Sequence, residues 1–195
     1  MLYVTIRQLF RIIFATFYRW KVIGRHHIPK EGPVVICANH INHLDPPLVG
    51  CAVSRKVHFM AKEELFRVPV LGPIVRILGA FPVKRGAGDR QALKTSIQIL
   101  KENKVLGIFP EGTRSKTGAL GKAHSGAALI ALKTNSPIVP AAIIGPYRLF
   151  RSVRIIFGKP IDLTPYKEGK IGAETAQALT ERMMDEIKQM MEQHQ

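Results

Sequence analysis

PVVICANHINHLDPPLVGCAVS, residues 33–54, passes from a short uncharged run into a polar turn and then into a second apolar segment. Residues 33–37 are rich in β-branched side chains and bounded by a proline, the pattern of a strand buried on both faces. Asp45-Pro46-Pro47 reads as an N-cap with prolines in the first turn, where a missing N–H costs nothing, and opens a helix to about Ser54. The same alternation continues downstream. Strands are expected at 57–60, 81–83, 105–109, 137–144 and 153–157, and helices at 90–102, 126–133 and 173–193. Residues 62–78, apolar, basic and interrupted by prolines, suit two short helices. Alternating β and α segments with no repeat or linker predict a single α/β domain, with a mostly parallel central sheet flanked by helices.

The chain has 195 residues and a formal net charge of +15. The charge is uneven: residues 168–195 carry −3, so the first 167 carry +18 on only eight carboxylates. Such a field attracts phosphate-bearing partners, whether nucleic acid, anionic membrane, acidic carrier protein or phosphorylated metabolite, without choosing among them. The cysteines Cys37 and Cys51 lie in apolar runs, which excludes a disulfide framework. A hydrophobic content of 46% excludes a mainly disordered chain.

Residues 1–24 form a segment of their own. MLYVTIRQLFRIIFATFYRWKVI holds six of the 14 aromatic side chains, among them Phe14, Phe17 and Trp20. Its longest uncharged run past the first arginine is far short of the ~20 residues a bilayer span needs. On a helix Arg7 and Arg11 stack on one side, with Leu2, Ile6, Leu9, Ile13, Phe17 and Trp20 opposite. A basic, aromatic-edged amphipathic helix of this kind lies in the headgroup region of a membrane. The competing picture packs it on the protein's own core with its arginines in water.

Two strand exits carry the chemistry. In Asn39-His40-Ile41-Asn42-His43-Leu44-Asp45, His40 and Asp45 stand five residues apart across a turn, so their side chains can converge. An imidazole held by a carboxylate keeps one tautomer and a stabilised cation, as a general base near neutral pH requires. Asp45 could equally serve as a plain helix cap, and the two roles are compatible. His40, His43 and Asp45 also make a donor set for a metal, with no further ligand nearby. His26 and His27 fall on a turn expected to be solvated.

The second exit is Pro110-Glu111-Gly112-Thr113-Arg114-Ser115. Gly112 permits a tight turn and close ligand approach, Thr113 offers a hydroxyl, and Arg114 can grip a phosphate with two parallel hydrogen bonds. Glu111 is expected to hold that guanidinium or to bind a ligand hydroxyl. Lys84 and Arg85 end another strand with two further cations. No Gly-x-Ser-x-Gly elbow occurs, and Cys37 sits in a buried strand, which disfavours a covalent acyl-enzyme.

Taken in order, these blocks resemble the glycerolipid acyltransferase family, whose best-known members are the 1-acylglycerol-3-phosphate acyltransferases. Asn39-His40 followed by Asp45 matches the first family motif. Gly79-Ala80-Phe81-Pro82-Val83-Lys84-Arg85 matches the second, and residues 110–115 match the third without change. Ile138-Val139-Pro140 fits the fourth. The resemblance spans roughly residues 25–160, and the acyltransferase domain is placed at 25–195. The chain departs from the family at Asn42, where serine is frequent, and at His124-Ser125-Gly126, where a lysine often precedes the glycine; Lys122 is at best a displaced substitute.

The resemblance implies direct acyl transfer from a thioester of acyl carrier protein or CoA to the sn-2 hydroxyl of lysophosphatidic acid, forming phosphatidic acid. His40, oriented by Asp45, would be the base. Arg85, Glu111, Gly112, Thr113 and Arg114 would bind the glycerol phosphate, with apolar stretches such as residues 65–78 along the acyl chain's path. No metal or other cofactor is implied, and no nucleic acid. The enzyme would sit peripherally on the cytoplasmic face of the cell membrane, against anionic lipid. Glycerol 3-phosphate or another lysolipid is the alternative acceptor. The rival classes are a metal-dependent hydrolase and a non-catalytic basic module for membranes or nucleic acid.

Overall fold

The computed structural model describes residues 2–84, 89–168 and 172–194. Seven strands are described: β1 (Lys21–Ile23), β2 (Val34–Ala38), β3 (Val57–Lys62), β4 (Phe81–Val83), β5 (Val105–Ile108), β6 (Ile138–Ile144) and β7 (Arg154–Phe157). Six α-helices accompany them: α1 (Leu2–Tyr18), α2 (Asp45–Ala52), α3 (Leu71–Ile77), α4 (Arg90–Lys101), α5 (Gly126–Thr134) and α6 (Ala173–Gln193). The strands form one sheet in the order β1-β7-β6-β2-β5-β3-β4. Every pairing is parallel except β6 with β7. The expected single α/β domain with its mostly parallel sheet is the observed one.

β2 lies between β6 and β5, and all five of its residues are buried. Its alternation divides the core in two. Val35 and Cys37 face a layer made by α4, α5 and α6, whereas Val34, Ile36 and Ala38 face Phe14 of α1 and Leu48, Val49 and Ala52 of α2. Two-sided burial explains why these strands read as continuous apolar runs instead of alternating ones. The connection after β2 runs through α2 on one face, and that after the neighbouring β5 through α5 on the other. Their carboxyl ends therefore part at a topological switch point, where open α/β sheets hold their ligands.

The N-terminal segment differs from the expectation in two ways. The helix ends at Tyr18, and Lys21–Ile23 pairs with β7 as an edge strand. Trp20 has left the helix and packs on Phe14 with ring centroids 5.9 Å apart. The competing picture, with the arginines of the helix in water, is not the observed one. Arg11 donates to the carbonyl of Cys51 at 3.0 Å, and Arg7 to those of Val53 and, at 3.1 Å, Ser54. These are carbonyls at the end of α2, the negative pole of that helix. The arginines thus face the protein, and Leu2, Val4, Leu9, Ile12 and Phe17 are left exposed.

Candidate active site

β2 and β5 run in register from Val34↔Val105 to Cys37↔Ile108, which brings the two chemistry-bearing exits side by side. Asn39, only 2% exposed, fixes the first. Its Nδ2 donates to the carbonyl of Ile143 at 2.9 Å and its Oδ1 accepts that residue's N–H at 2.7 Å. An amide side chain thereby continues the ladder to β6 and aims the next residue, His40, out of the sheet.

His40 Nδ1 lies 2.7 Å from Asp45 Oδ2. A carboxylate can only accept, so Nδ1 carries the proton and Nε2 is the basic ring nitrogen. Asp45 is fully buried. It does not cap α2 as the sequence suggested: Leu44 takes the N-cap position, Asp45 is the first residue of the helix, and its described hydrogen bonds lead away from the helix. Its Oδ2 turns back on the preceding loop and accepts the N–H groups of Ile41 and Asn42, each at 2.7 Å. The prolines at the start of α2 supply no N–H to compete for it. Asp45 Oδ1 accepts the phenol of Tyr147 at 2.6 Å. The imidazole itself stacks on Phe109, with centroids 4.1 Å apart and planes 19° off parallel.

The second exit is wrapped around the same histidine. Ser115 N–H donates to the His40 carbonyl at 2.7 Å, and His40 N–H donates to Glu111 Oε1 at 2.8 Å. Glu111 is 5% exposed, and its Oε2 accepts the N–H of Gly121 at 2.7 Å. It is an inward clasp between loops, and neither of its expected partners, Arg114 or a ligand hydroxyl, is needed to explain it. Arg114 instead contacts the ring of His43. Gly112 has φ 66°, a left-handed conformation that side chains rarely adopt, and a Cβ there would lie 3.3 Å from the His124 ring. Gly112, Thr113 and Arg114 are all exposed at the mouth of the site. Arg85 lies outside the described residues.

Beside His43 and the first turn of α2 opens an apolar cavity of about 290 Å³, whose lining includes neither His40 nor Asp45. Phe10 of α1, Gly50 of α2, Phe59 of β3 and Leu71 and Val75 of α3 line it, and His43 lies on its wall. A larger, open groove of about 980 Å³ runs between the 117–123 loop and α6, and its lining includes neither His40 nor Asp45. The metal reading finds no matching arrangement: among the described residues no three His, Cys, Asp or Glu side chains converge as a metal site. His27, expected on a solvated turn, contacts the Phe157 carbonyl through Nδ1 at 2.8 Å.

Two residues of the site escaped the sequence reading. Asn39 was visible only as part of a motif, and its role needs the β6 backbone opposite. Tyr147 lies far along the chain in no motif at all.

Comparison with known proteins agrees with this geometry. A family model described as Acyltransferase matches residues 19–144. A Bacillus subtilis protein named 1-acyl-sn-glycerol-3-phosphate acyltransferase is 32% identical over 176 residues, covering 87% of each chain. A Streptococcus pneumoniae protein of the same name is 31% identical, covering 89% of this chain and 69% of its own. Among solved structures, the 1-acyl-sn-glycerophosphate (LPA) acyltransferase PlsC from Thermotoga maritima superposes with a TM-score of 0.80 at 27% identity. That match covers 98% of this chain and 78% of the other. On its fold, its His40–Asp45 turn and these relatives, the chain belongs to the acyltransferase family, and it is an O-acyltransferase.

Proposed function

We propose that the protein moves a fatty acyl group from a thioester of acyl carrier protein or CoA to the sn-2 hydroxyl of 1-acylglycerol 3-phosphate, giving phosphatidic acid. The observation that carries this reading is that the loop bearing Arg114 is hydrogen-bonded to the backbone of His40 on both sides, through Ser115 and Glu111. A phosphate held by Arg114 and the turn at Gly112 and Thr113 would place the glycerol hydroxyls of the same molecule at the imidazole. The relatives from B. subtilis and T. maritima are named for this acceptor.

His40 Nε2 takes the hydroxyl proton as the oxygen attacks the thioester carbonyl. The tetrahedral intermediate collapses with cleavage of the C–S bond, and the imidazolium returns the proton to the departing thiolate. No covalent acyl-enzyme forms, and no cofactor enters. Asp45 holds the ring and stabilises the imidazolium. A base of this kind contributes about 10²–10⁴ in rate, with fixed proximity of hydroxyl and thioester supplying much of the rest. The apolar cavity beside His43 suits an acyl chain.

The exposed face of α1 suits the membrane. It continues onto Leu149 and Phe150 through a Phe17–Phe150 ring contact with centroids 6.3 Å apart. No described helix is long and apolar enough to cross a bilayer, so α1 would lie along the surface. The basic surface would meet anionic headgroups, which favours the cytoplasmic leaflet.

The test incubates purified protein with acyl-carrier-protein or CoA thioester and, separately, lysophosphatidic acid, glycerol 3-phosphate and lysophosphatidylcholine. Products are read by mass spectrometry. Phosphatidic acid should dominate; faster acylation of glycerol 3-phosphate would replace the assigned acceptor.

A further inference from the structure

The two oxygens of Asp45 are used very differently. Oδ2 takes three hydrogen bonds, from His40 Nδ1 and the N–H groups of Ile41 and Asn42, and Oδ1 takes one, from Tyr147 at 2.6 Å. That donor comes from the loop after β6, a hundred residues along the chain, and not from the turn that builds the dyad. We propose that Tyr147 is a positioning residue that sets the basicity of His40 by drawing charge from the far oxygen of Asp45. The proposal rests on the reading of His40 as the base.

Asp45 is fully buried, so each hydrogen bond to it screens the charge that the imidazole feels. A phenol bonded to a carboxylate is a strong, charge-assisted donor. Burial, and next the negative charge of Asp45, push the Tyr147 phenol far above its ordinary range, so it stays protonated and donating across the working pH. With the phenol removed, Oδ1 would lose its only partner among the described contacts. The less screened carboxylate would then stabilise imidazolium more, and His40 would hold its proton to higher pH.

Tyr147 is itself held rigidly. Its ring meets Tyr18 edge-on, with centroids 5.9 Å apart, and the loop following it is tied to the end of α1. Phe150 N–H donates to the Phe17 carbonyl at 2.6 Å and Val153 N–H to the Tyr18 carbonyl at 3.0 Å. The other ionisable groups around the dyad are Glu111, bonded to the His40 N–H and to Gly121, Tyr18 behind Tyr147, and the His43–Arg114 pair at the rim. Among the described residues none of these groups hydrogen-bonds the Asp45 carboxylate, which leaves Tyr147 as its adjustable side-chain partner besides His40.

The test compares three proteins: the wild type, Tyr147→Phe, and a variant carrying a ring-fluorinated tyrosine at position 147, whose phenol is the stronger donor. Two readouts are taken, the pH profile of kcat/KM and the NMR titration of the His40 ring. Tyr147→Phe should move the acid limb and the ring titration up together by about 0.5 pH unit, costing roughly threefold in kcat/KM below the limb. The fluorinated variant should move both down. A purely structural role would lower the rate without displacing either. Coincident ring titrations in all three proteins would overturn the proposal. Should the His40→Ala enzyme prove active, the assignment of the base fails instead, and the ring titration still decides whether Tyr147 acts through Asp45.

Discussion

Glu111 binds the backbone of His40, its Oε1 accepting that N–H at 2.8 Å, while its Oε2 holds Gly121 at 2.7 Å. The acid of the second exit is thus spent on joining loops, out of reach of solvent. Glu111→Ala would leave the half-buried His40 N–H without a partner, at about 1–3 kcal/mol, while the N–H of the exposed Gly121 can turn to water. Chemical denaturation should show that loss, and kcat should fall with it because His40 loses its backbone support. Unchanged stability would mean that the clasp is replaced by water.

Arg114 is exposed at the mouth of the site, in contact with His43, and is the residue proposed to hold the acceptor's phosphate. Arg114→Ala should raise the KM for lysophosphatidic acid by about 10- to 100-fold while leaving kcat within a fewfold, because the proposed contact that is lost is with the bound phosphate. Arg114→Lys should recover only part, since an ammonium cannot form two parallel bonds. Steady-state kinetics over the acceptor concentration separates the two parameters.

Gly50 faces the apolar cavity from α2, and a Cβ built there meets nothing within 4 Å. Gly50→Leu should therefore fold and narrow the cavity, shifting donor preference toward shorter acyl chains. Competition between thioesters of different chain length reads this directly. Gly50→Ala should stabilise the protein by about 1 kcal/mol through helix propensity, with the preference little altered.

Leu9 is 57% exposed and Ile12 56%, both on the outward face of α1. Replacing either with glutamate should leave the melting temperature near that of the wild type. Each should cut partition onto anionic vesicles by about tenfold, the loss of a partly buried aliphatic side chain. Vesicle flotation measures it, and undiminished binding would remove α1 as the anchor.

Most of the sheet was legible because strands buried on both faces, such as Val34–Ala38 and Ile138–Ile144, leave uncharged apolar runs in the sequence. The pairing of His40 with Asp45 was legible too, since it spans a single turn. Lys21–Ile23 was not, being three residues long and continuous with an amphipathic helix. The anchoring of the α1 arginines was not legible either, because charge normally points to water; here they satisfy carbonyls at the end of α2. The inward role of Glu111 and the bond from Tyr147 to Asp45 depend on loops brought together only by the finished sheet, and no local pattern announces them.

The most direct measurement is single-turnover acylation of lysophosphatidic acid by the His40→Ala enzyme, with its melting temperature and vesicle binding recorded alongside. The rate should fall by about 10²–10⁴-fold or more while folding and membrane binding persist. A variant that still transfers the acyl group at a rate comparable to the wild type would contradict the role assigned to His40.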